Sequence, residues 1–301
     1  MPAIEVKGLC KHYGKLVAVD DLSFSVDRGE VVGFLGPNGA GKTTTLRTLV
    51  GLIEPTAGAA TINGRHYRDL EDPLRHVGAV LEASSFYPGR SARNHLRVQA
   101  TAAGIPRSRV DEVLELTRLA QAADRRVGTF SLGMRQRLGI ATALLGGPEI
   151  LIFDEPANGL DPEGVRWLRE LLRSQAAEGR AVLVSSHMLA ETAQTVDSVA
   201  IIDQGHLVAR LSLEDLTVGA QRIVRVRTPK AQALAEALDR DGARVERIEP
   251  ERLEISGTTP ERVGMIAAEL RVPIVESTSE AVNLEDAFLR LTRDERLKET
   301  V

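Results

Sequence analysis

Two clusters of residues in this chain have the types and the spacing to do chemistry on a phosphate group. The first is Gly36-Pro37-Asn38-Gly39-Ala40-Gly41-Lys42-Thr43-Thr44, which fits the pattern G-x-x-x-x-G-K-[ST]. Phosphate oxygens are held best by backbone N–H groups that converge from a loop and a helix N-terminus, where the helix dipole also favours an anion. Glycine lets the main chain come close and take positive φ. In the cradle formed by Gly36, Asn38, Gly39, Ala40, Gly41 and Thr44, Lys42 adds a point charge for the β- and γ-phosphates, and Thr43 offers its hydroxyl to Mg²⁺. A strand-like run at 31–35 precedes the loop and a helical run follows it. That context separates the match from an accidental glycine-rich turn and marks a nucleotide site.

The second cluster is Asp154-Glu155, at the end of the apolar run Ile150-Leu151-Ile152-Phe153. Such a run reads as a strand buried on both faces, and carboxylates at the C-terminal edge of a parallel strand lie where open α/β sheets bind ligands. Asp154 is expected to hold Mg²⁺, directly or through water, and Glu155 to orient and polarise the water that attacks the phosphate. Alone, Asp-Glu-Pro could simply end a strand; the phosphate loop upstream turns it toward chemistry.

The elements that must position these residues follow from hydrophobic periodicity. Residues 4–9, 22–26 and 31–35 read as strands separated by turns. After Gly41, Leu46, Leu49, Val50 and Ile53 fall on one helix face, and residues 55–58 are expected to end that helix. Helical spacing dominates 91–145, with Ser108 as a cap and Val110, Val113 and Leu114 as an apolar stripe. A helix at 165–175 and buried strands at 181–185 and 199–203 complete an α/β pattern, a parallel or mixed sheet covered by helices.

The 301 residues suggest two domains, with a boundary at Gly219: 1–219, including a helical subdomain at about 84–146, and 220–301. The second part reads βαββαβ plus a terminal helix, with strands at 222–227, 245–248, 253–255 and 273–275 and helices at 231–238, 263–270 and 284–291. That order predicts a small ferredoxin-like α+β unit.

A content of 43% hydrophobic and 27% charged residues excludes a disordered chain. A single cysteine, Cys10, excludes an intrachain disulfide or a cysteine-based zinc site and fits a cytosolic setting. The formal charge of −4, with both signs interspersed, opposes a nucleic-acid surface, so no nucleic-acid partner is expected. Residues 1–7 lack the basic-then-apolar pattern of a signal peptide. The longest stretches free of charge span eleven residues, against the roughly 20 that a membrane-spanning helix needs. Work at a membrane would need another chain to provide the span.

From about residue 4 to 216 the sequence resembles the ATP-binding subunit of an ABC transporter. Phe130-Ser131-Leu132-Gly133-Met134-Arg135-Gln136-Arg137 stands where the family has its Leu-Ser-Gly-Gly-Gln signature, Asn158-Gly159-Leu160-Asp161 is similar to its D-loop, and Ser185-Ser186-His187 to its switch histidine. The resemblance implies ATP as the substrate with Mg²⁺, and a P-loop ATPase fold with a mixed sheet and a helical subdomain. It also implies a dimer that sandwiches two nucleotides, and separate permease chains that hold the subunit at the inner face of the membrane. Tyr13 would stack on adenine. Ser131 and Gly133 would meet the γ-phosphate bound to the other subunit, His187 would contact the γ-phosphate, and Asp161 would couple the two sites.

Several positions depart from the family pattern. Leu132 replaces a signature glycine, Met134 replaces the glutamine, and Glu82 stands where most members have a glutamine. Glu82 can still serve as an oxygen ligand for Mg²⁺. These departures, with residues 82–88 and a C-terminal extension ending in Asn283-Leu284-Glu285-Asp286-Ala287-Phe288, resemble the branch of bacterial daunorubicin- and bacitracin-resistance exporters of drugs, antibiotics or peptides. Three rival readings are an importer ATPase, a regulatory module that binds ATP without turnover, and a soluble ATPase acting on ribosomes or DNA. Against the last, the chain has one ATPase unit, and only 88 residues separate Lys42 from Ser131, too few for a long coiled-coil insertion.

Overall fold

The computed structural model describes residues 1–81, 86–188, 192, 194–213 and 223–280. Glu82 and the helix expected at 284–291 lie outside these residues. The chain divides into two units, Met1–Ser212 and Leu213–Val301.

The first unit begins with strands β1 (Ile4–Tyr13), β2 (Leu16–Val26), β3 (Val31–Leu35) and β4 (Ala57–Ile62). β1 pairs antiparallel with both β2 and β4. Alternation buries Ile4, Val6 and Leu9 from β1 against Val19, Leu22, Phe24 and Val26 from β2, as a half-buried sheet requires. β3 instead enters a larger sheet with β5 (Val77–Val80), β6 (Ile150–Asp154), β7 (Ala181–Ser186), β8 (Ser198–Asp203) and β9 (His206–Ser212), in the order β5-β6-β7-β3-β8-β9. Its pairings are parallel except for β8 with β9. β7 therefore lies between β6 and β3, with Asp154 opposite Ser185 and Leu35 opposite Ser186. This register brings the ends of β3 and β6, and so both chemical clusters, to one edge of the sheet.

Helix α1 (Lys42–Leu49) springs from the loop after β3 and buries Leu46 and Leu49 completely. It stops earlier than its apolar face suggests. Val50 caps it and Gly51, at φ +70, turns the chain with its N–H on Thr48 O. Residues 55–58 thus do not end the helix, and Ala57 already starts β4.

After the short α2 (Pro73–His76), helices α3 (Ala92–Ala102), α4 (Ser108–Leu116) and α5 (Leu132–Leu144) pack on one another. Ser91 Oγ caps α3, accepting from Asn94 N at 3.2 Å. The expected Ser108 cap is corrected: Ser108 is the first helical residue and Arg107 the N-cap, because the turn starts already at Pro106, whose carbonyl accepts from Arg109 N. Val110, Val113 and Leu114 are buried. Helix α6 (Pro162–Ala177) opens with Asp161 as cap and Pro162 at its first position, where proline's missing N–H is harmless.

The second unit contains β10 (Ile223–Arg227), α7 (Ala231–Arg240), β11 (Arg244–Glu249), β12 (Arg252–Ser256), α8 (Pro260–Glu269) and β13 (Glu276–Glu280). Its sheet is antiparallel, ordered β11-β12-β10-β13, the arrangement of a ferredoxin-like βαββαβ fold. Val224, Val226, Leu234, Leu238, Leu253, Ile255, Val263 and Ile266 form its core. The last strand is not at 273–275 but at Glu276–Glu280: Val272 and Ile274 pack into the core from a non-strand segment, and the polar residues after them carry the ladder to β10. Among the described residues, no helix is long and apolar enough to cross a membrane.

Candidate active site

The loop between β3 and α1 is shaped by glycines at two tight points. A Cβ on Gly36 would overlap Ile202 O, and one on Gly41, at φ +102, would overlap Ala18 O. Asn38 and Gly39 are exposed at the tip, whereas Ala40 is buried beneath it. The first N–H groups of α1, from Lys42, Thr43 and Thr44, have no partner within the helix and so remain for an anion. Lys42 is only 6% exposed. Its Nζ donates to Gly36 O at 2.6 Å and Pro37 O at 3.2 Å, and lies 3.6 Å from Glu155 Oε1.

The end of β6 meets this loop through a run of short contacts. Thr43 Oγ1 donates to Asp154 Oδ2 at 2.7 Å. Asp154 Oδ1 accepts from Ser185 Oγ, which itself accepts from Glu155 N at 2.9 Å. His187 Nδ1 lies 2.9 Å from Glu155 Oε2. Glu155 adopts φ +48, a left-handed conformation costing a non-glycine residue on the order of 1 kcal/mol or more. Its Oε1 is buried 3.6 Å from Lys42 Nζ and makes no hydrogen bond. Thr43, Lys42, Asp154, Glu155 and His187 thus come together.

Ser185, expected only as part of the Ser185-Ser186-His187 motif, joins them. It is completely buried, and a buried hydroxyl must find partners. A serine closing the apolar run 181–184 was the available signal, but its partners depend on β7 lying beside β6, which the sequence does not state.

Thr43 Oγ1 and Asp154 Oδ2 are adjacent hard-oxygen donors, the set that suits Mg²⁺, an ion that takes one or two protein oxygens and keeps several waters. Tyr13, at the end of β1, has 46% of its surface exposed, and Lys11 Nζ lies 5.0 Å from its ring centre. An exposed aromatic face of this kind can stack on a base.

The remaining candidates form a separate cluster. Ser131 Oγ accepts from Met134 N at 3.2 Å and caps α5, while Asp161 Oδ1 accepts from Gly164 N at 2.8 Å and caps α6. Ser131, Gly133, Met134 and Asp161 share a depression with Arg118 and Arg125. Arg137 lies 4.4 Å over the Trp167 ring, where burial lowers its guanidinium below the usual arginine range. Trp167 is buried, with Nε1 donating to Leu116 O at 3.1 Å, so it braces this cluster from the core. Phe86 meets His95 edge-on at 5.0 Å, and Tyr87 is exposed.

A family model described as "ABC transporter" matches residues 19–158, and a model of a domain of unknown function matches residues 222–285. The chain is 45% identical over 216 residues to the bacitracin transport ATP-binding protein of Bacillus licheniformis, an alignment covering 71% of each chain. It is 36% identical over 306 residues to the Nod factor export ATP-binding protein I of Ralstonia nicotianae, covering 97% of this chain and 94% of that one. A solved structure of the ATP-binding subunit of an ABC transporter superposes with a TM-score of 0.66 at 34% identity, covering 72% of this chain and 92% of that one.

Proposed function

The chain belongs to the ABC transporter ATP-binding family, and from that premise we propose that it powers export through separate membrane permease chains, as one of two subunits that sandwich ATP between them. As a family member it binds ATP and hydrolyses it to ADP and phosphate. The observation that supports our assignment of roles is the connected set Thr43–Asp154–Ser185–Glu155–His187, with Lys42 beside Glu155.

In this reading the N–H groups of Gly39 to Thr44 and the Lys42 ammonium bind the β- and γ-phosphates. Lys42 then exchanges its loop carbonyls for phosphate oxygens. Glu155 Oε1 accepts a hydrogen bond from the attacking water and orients it in line with the γ-phosphate. Ser185 fixes the Glu155 backbone through its N–H, and His187 holds the other carboxylate oxygen. Thr43 and Asp154 would hold Mg²⁺, which spreads negative charge from the phosphates. Tyr13 stacks on the adenine.

Ser131 and Gly133, at the free end of α5, face the γ-phosphate on the second subunit, and Asp161 adjoins the shared interface. ATP closes the pair and hydrolysis reopens it, a domain-closure cycle passed to the permease. Export of a drug, antibiotic or peptide is the direction supported by the relatives, one named for bacitracin transport and another for Nod factor export. The subunit then works at the inner face of the membrane.

The test is a tagged pull-down from detergent-solubilised membranes of the native host. A multi-spanning protein recovered at about one per ATPase subunit is the expected result. Recovery of only ribosomal or DNA-bound partners would overturn transport while leaving the ATP chemistry in place.

A further inference from the structure

Leu132, which stands where the family has a glycine, lies against the loop that follows the catalytic strand. It is 52% exposed, yet a Cβ on Gly159, a residue at φ +78, would overlap its Cγ and Cδ2. A Cβ on Gly133 would come within 2.9 Å of Gly159 O and 3.5 Å of Leu160 Cδ2. Two glycines therefore let the backbone at 158–161 lie flat on the first turn of α5, and the Leu132 side chain closes over it. The loop is also tied at both ends. Asn158 N donates to Glu155 O at 3.1 Å and Leu160 N to Ala157 O at 3.1 Å. At the far end Asp161 Oδ1 holds Gly164 N at 2.8 Å. A continuous path of packed and hydrogen-bonded atoms thus runs from the Ser131 end of α5, across Leu132 and Gly159, to the backbone of Glu155.

We propose that Leu132 is a positioning residue that couples the two nucleotide sites of the dimer. Engagement of Ser131 and Gly133 with the partner's nucleotide presses α5 onto the loop at 158–161, and the loop sets Glu155 of the same chain. The inference rests on the sandwich-dimer reading above. Close-packed apolar contacts transmit displacement because they have little room to yield. Truncating Leu132 would strip Gly159 of this apolar cover. Coupling of this kind is a free energy shared by two sites, and it is read as cooperativity.

The experiment measures steady-state ATPase rate against ATP concentration for the full-length chain, for Leu132→Ala and for Leu132→Met. Alanine removes the atoms that cover Gly159 and keeps a strong helix former at the first position of α5; methionine restores an apolar cover. The wild-type Hill coefficient is expected to exceed one, below the ceiling of about two that two sites allow. Leu132→Ala should bring it to about one, and Leu132→Met should retain the wild-type value. A merely structural role would lower the thermal midpoint and the folded fraction without changing the Hill coefficient of the remaining enzyme. A wild-type coefficient of one, or one unchanged by Leu132→Ala, overturns the proposal. Light scattering of the Glu155→Gln chain with ATP separates the two levels. If no ATP-dependent dimer forms, the sandwich reading fails and takes the coupling with it. If the dimer forms while cooperativity ignores Leu132, only the coupling falls.

Discussion

Glu155 concentrates several constraints in one side chain: a left-handed backbone, one carboxylate oxygen held by His187 and the other buried beside Lys42. Glu155→Gln keeps the shape and the hydrogen bond to His187 but removes the charge that polarises water. ATPase activity should fall about a hundredfold or more, the scale of losing one key transition-state contact, while ATP binding is retained. Single-turnover phosphate release alongside equilibrium nucleotide binding checks this, and parallel loss of both would refute the role. Ser185→Ala makes a contrasting case. It deprives Asp154 Oδ1 and Glu155 N of their shared hydroxyl, so the expected change is a lower kcat together with destabilisation of about 1–3 kcal/mol from unsatisfied buried groups. Denaturant unfolding of the variant gives the second quantity.

Helices α3 and α5 show how far an element can be read before it is seen. The phosphate loop and the Asp154-Glu155 pair are legible in the sequence because their geometry is local: a strand, a turn and a helix in consecutive residues. Ser131 is legible as a cap for the same reason, and Ser131→Ala should cost about 1 kcal/mol of stability, measurable by thermal unfolding. Elements whose existence depends on neighbours are not legible. β9 has residues of intermediate burial apart from the exposed Arg210, and forms by pairing with β8. β13 is Glu-Ser-Thr-Ser-Glu, with no apolar alternation, and forms on the edge of β10. His95 belongs to the same class of surprises. Its position on α3 is local, but its burial against Phe86, with Nε2 unpaired, is tertiary. Burial and, secondarily, the charge of Arg90 lower its pKa. The folded protein therefore resists a proton that the unfolded chain accepts near pH 6.5. Stability is complete above that pH and falls as pH drops toward the lowered folded value, since the unfolded state then binds more protons. His95→Leu should remove this acid-side loss, so the unfolding midpoints of variant and wild type should diverge between pH 7 and 5. Parallel curves would show that His95 is protonated equally in both states.

At the scale of the whole chain, the hydrophobic core around α1 and the core of the second unit have no residue in common among the described residues. The first surrounds α1 and the sheet that carries the candidate site, so bound nucleotide stabilises that core directly. A ligand that binds only the folded state adds about 2.7 kcal/mol at a hundred times its dissociation constant. The second core is centred on Leu234, Leu238, Leu253 and Ile255, all fully buried, and among the described residues it contains none of the candidate site. Leu253→Ala removes a buried side chain from the middle of that sheet and should destabilise the second unit by roughly 2–5 kcal/mol, the usual range for such truncations. In calorimetry of the full-length protein with a slowly hydrolysed ATP analogue, nucleotide should raise one unfolding transition, and Leu253→Ala should lower another. A single transition moved by both would mean that the two cores unfold as one cooperative body. The residues at 223–280 would then support the ATPase energetically as well as accompany it. Separate transitions would instead make the second unit an independent module, removable without loss of nucleotide binding.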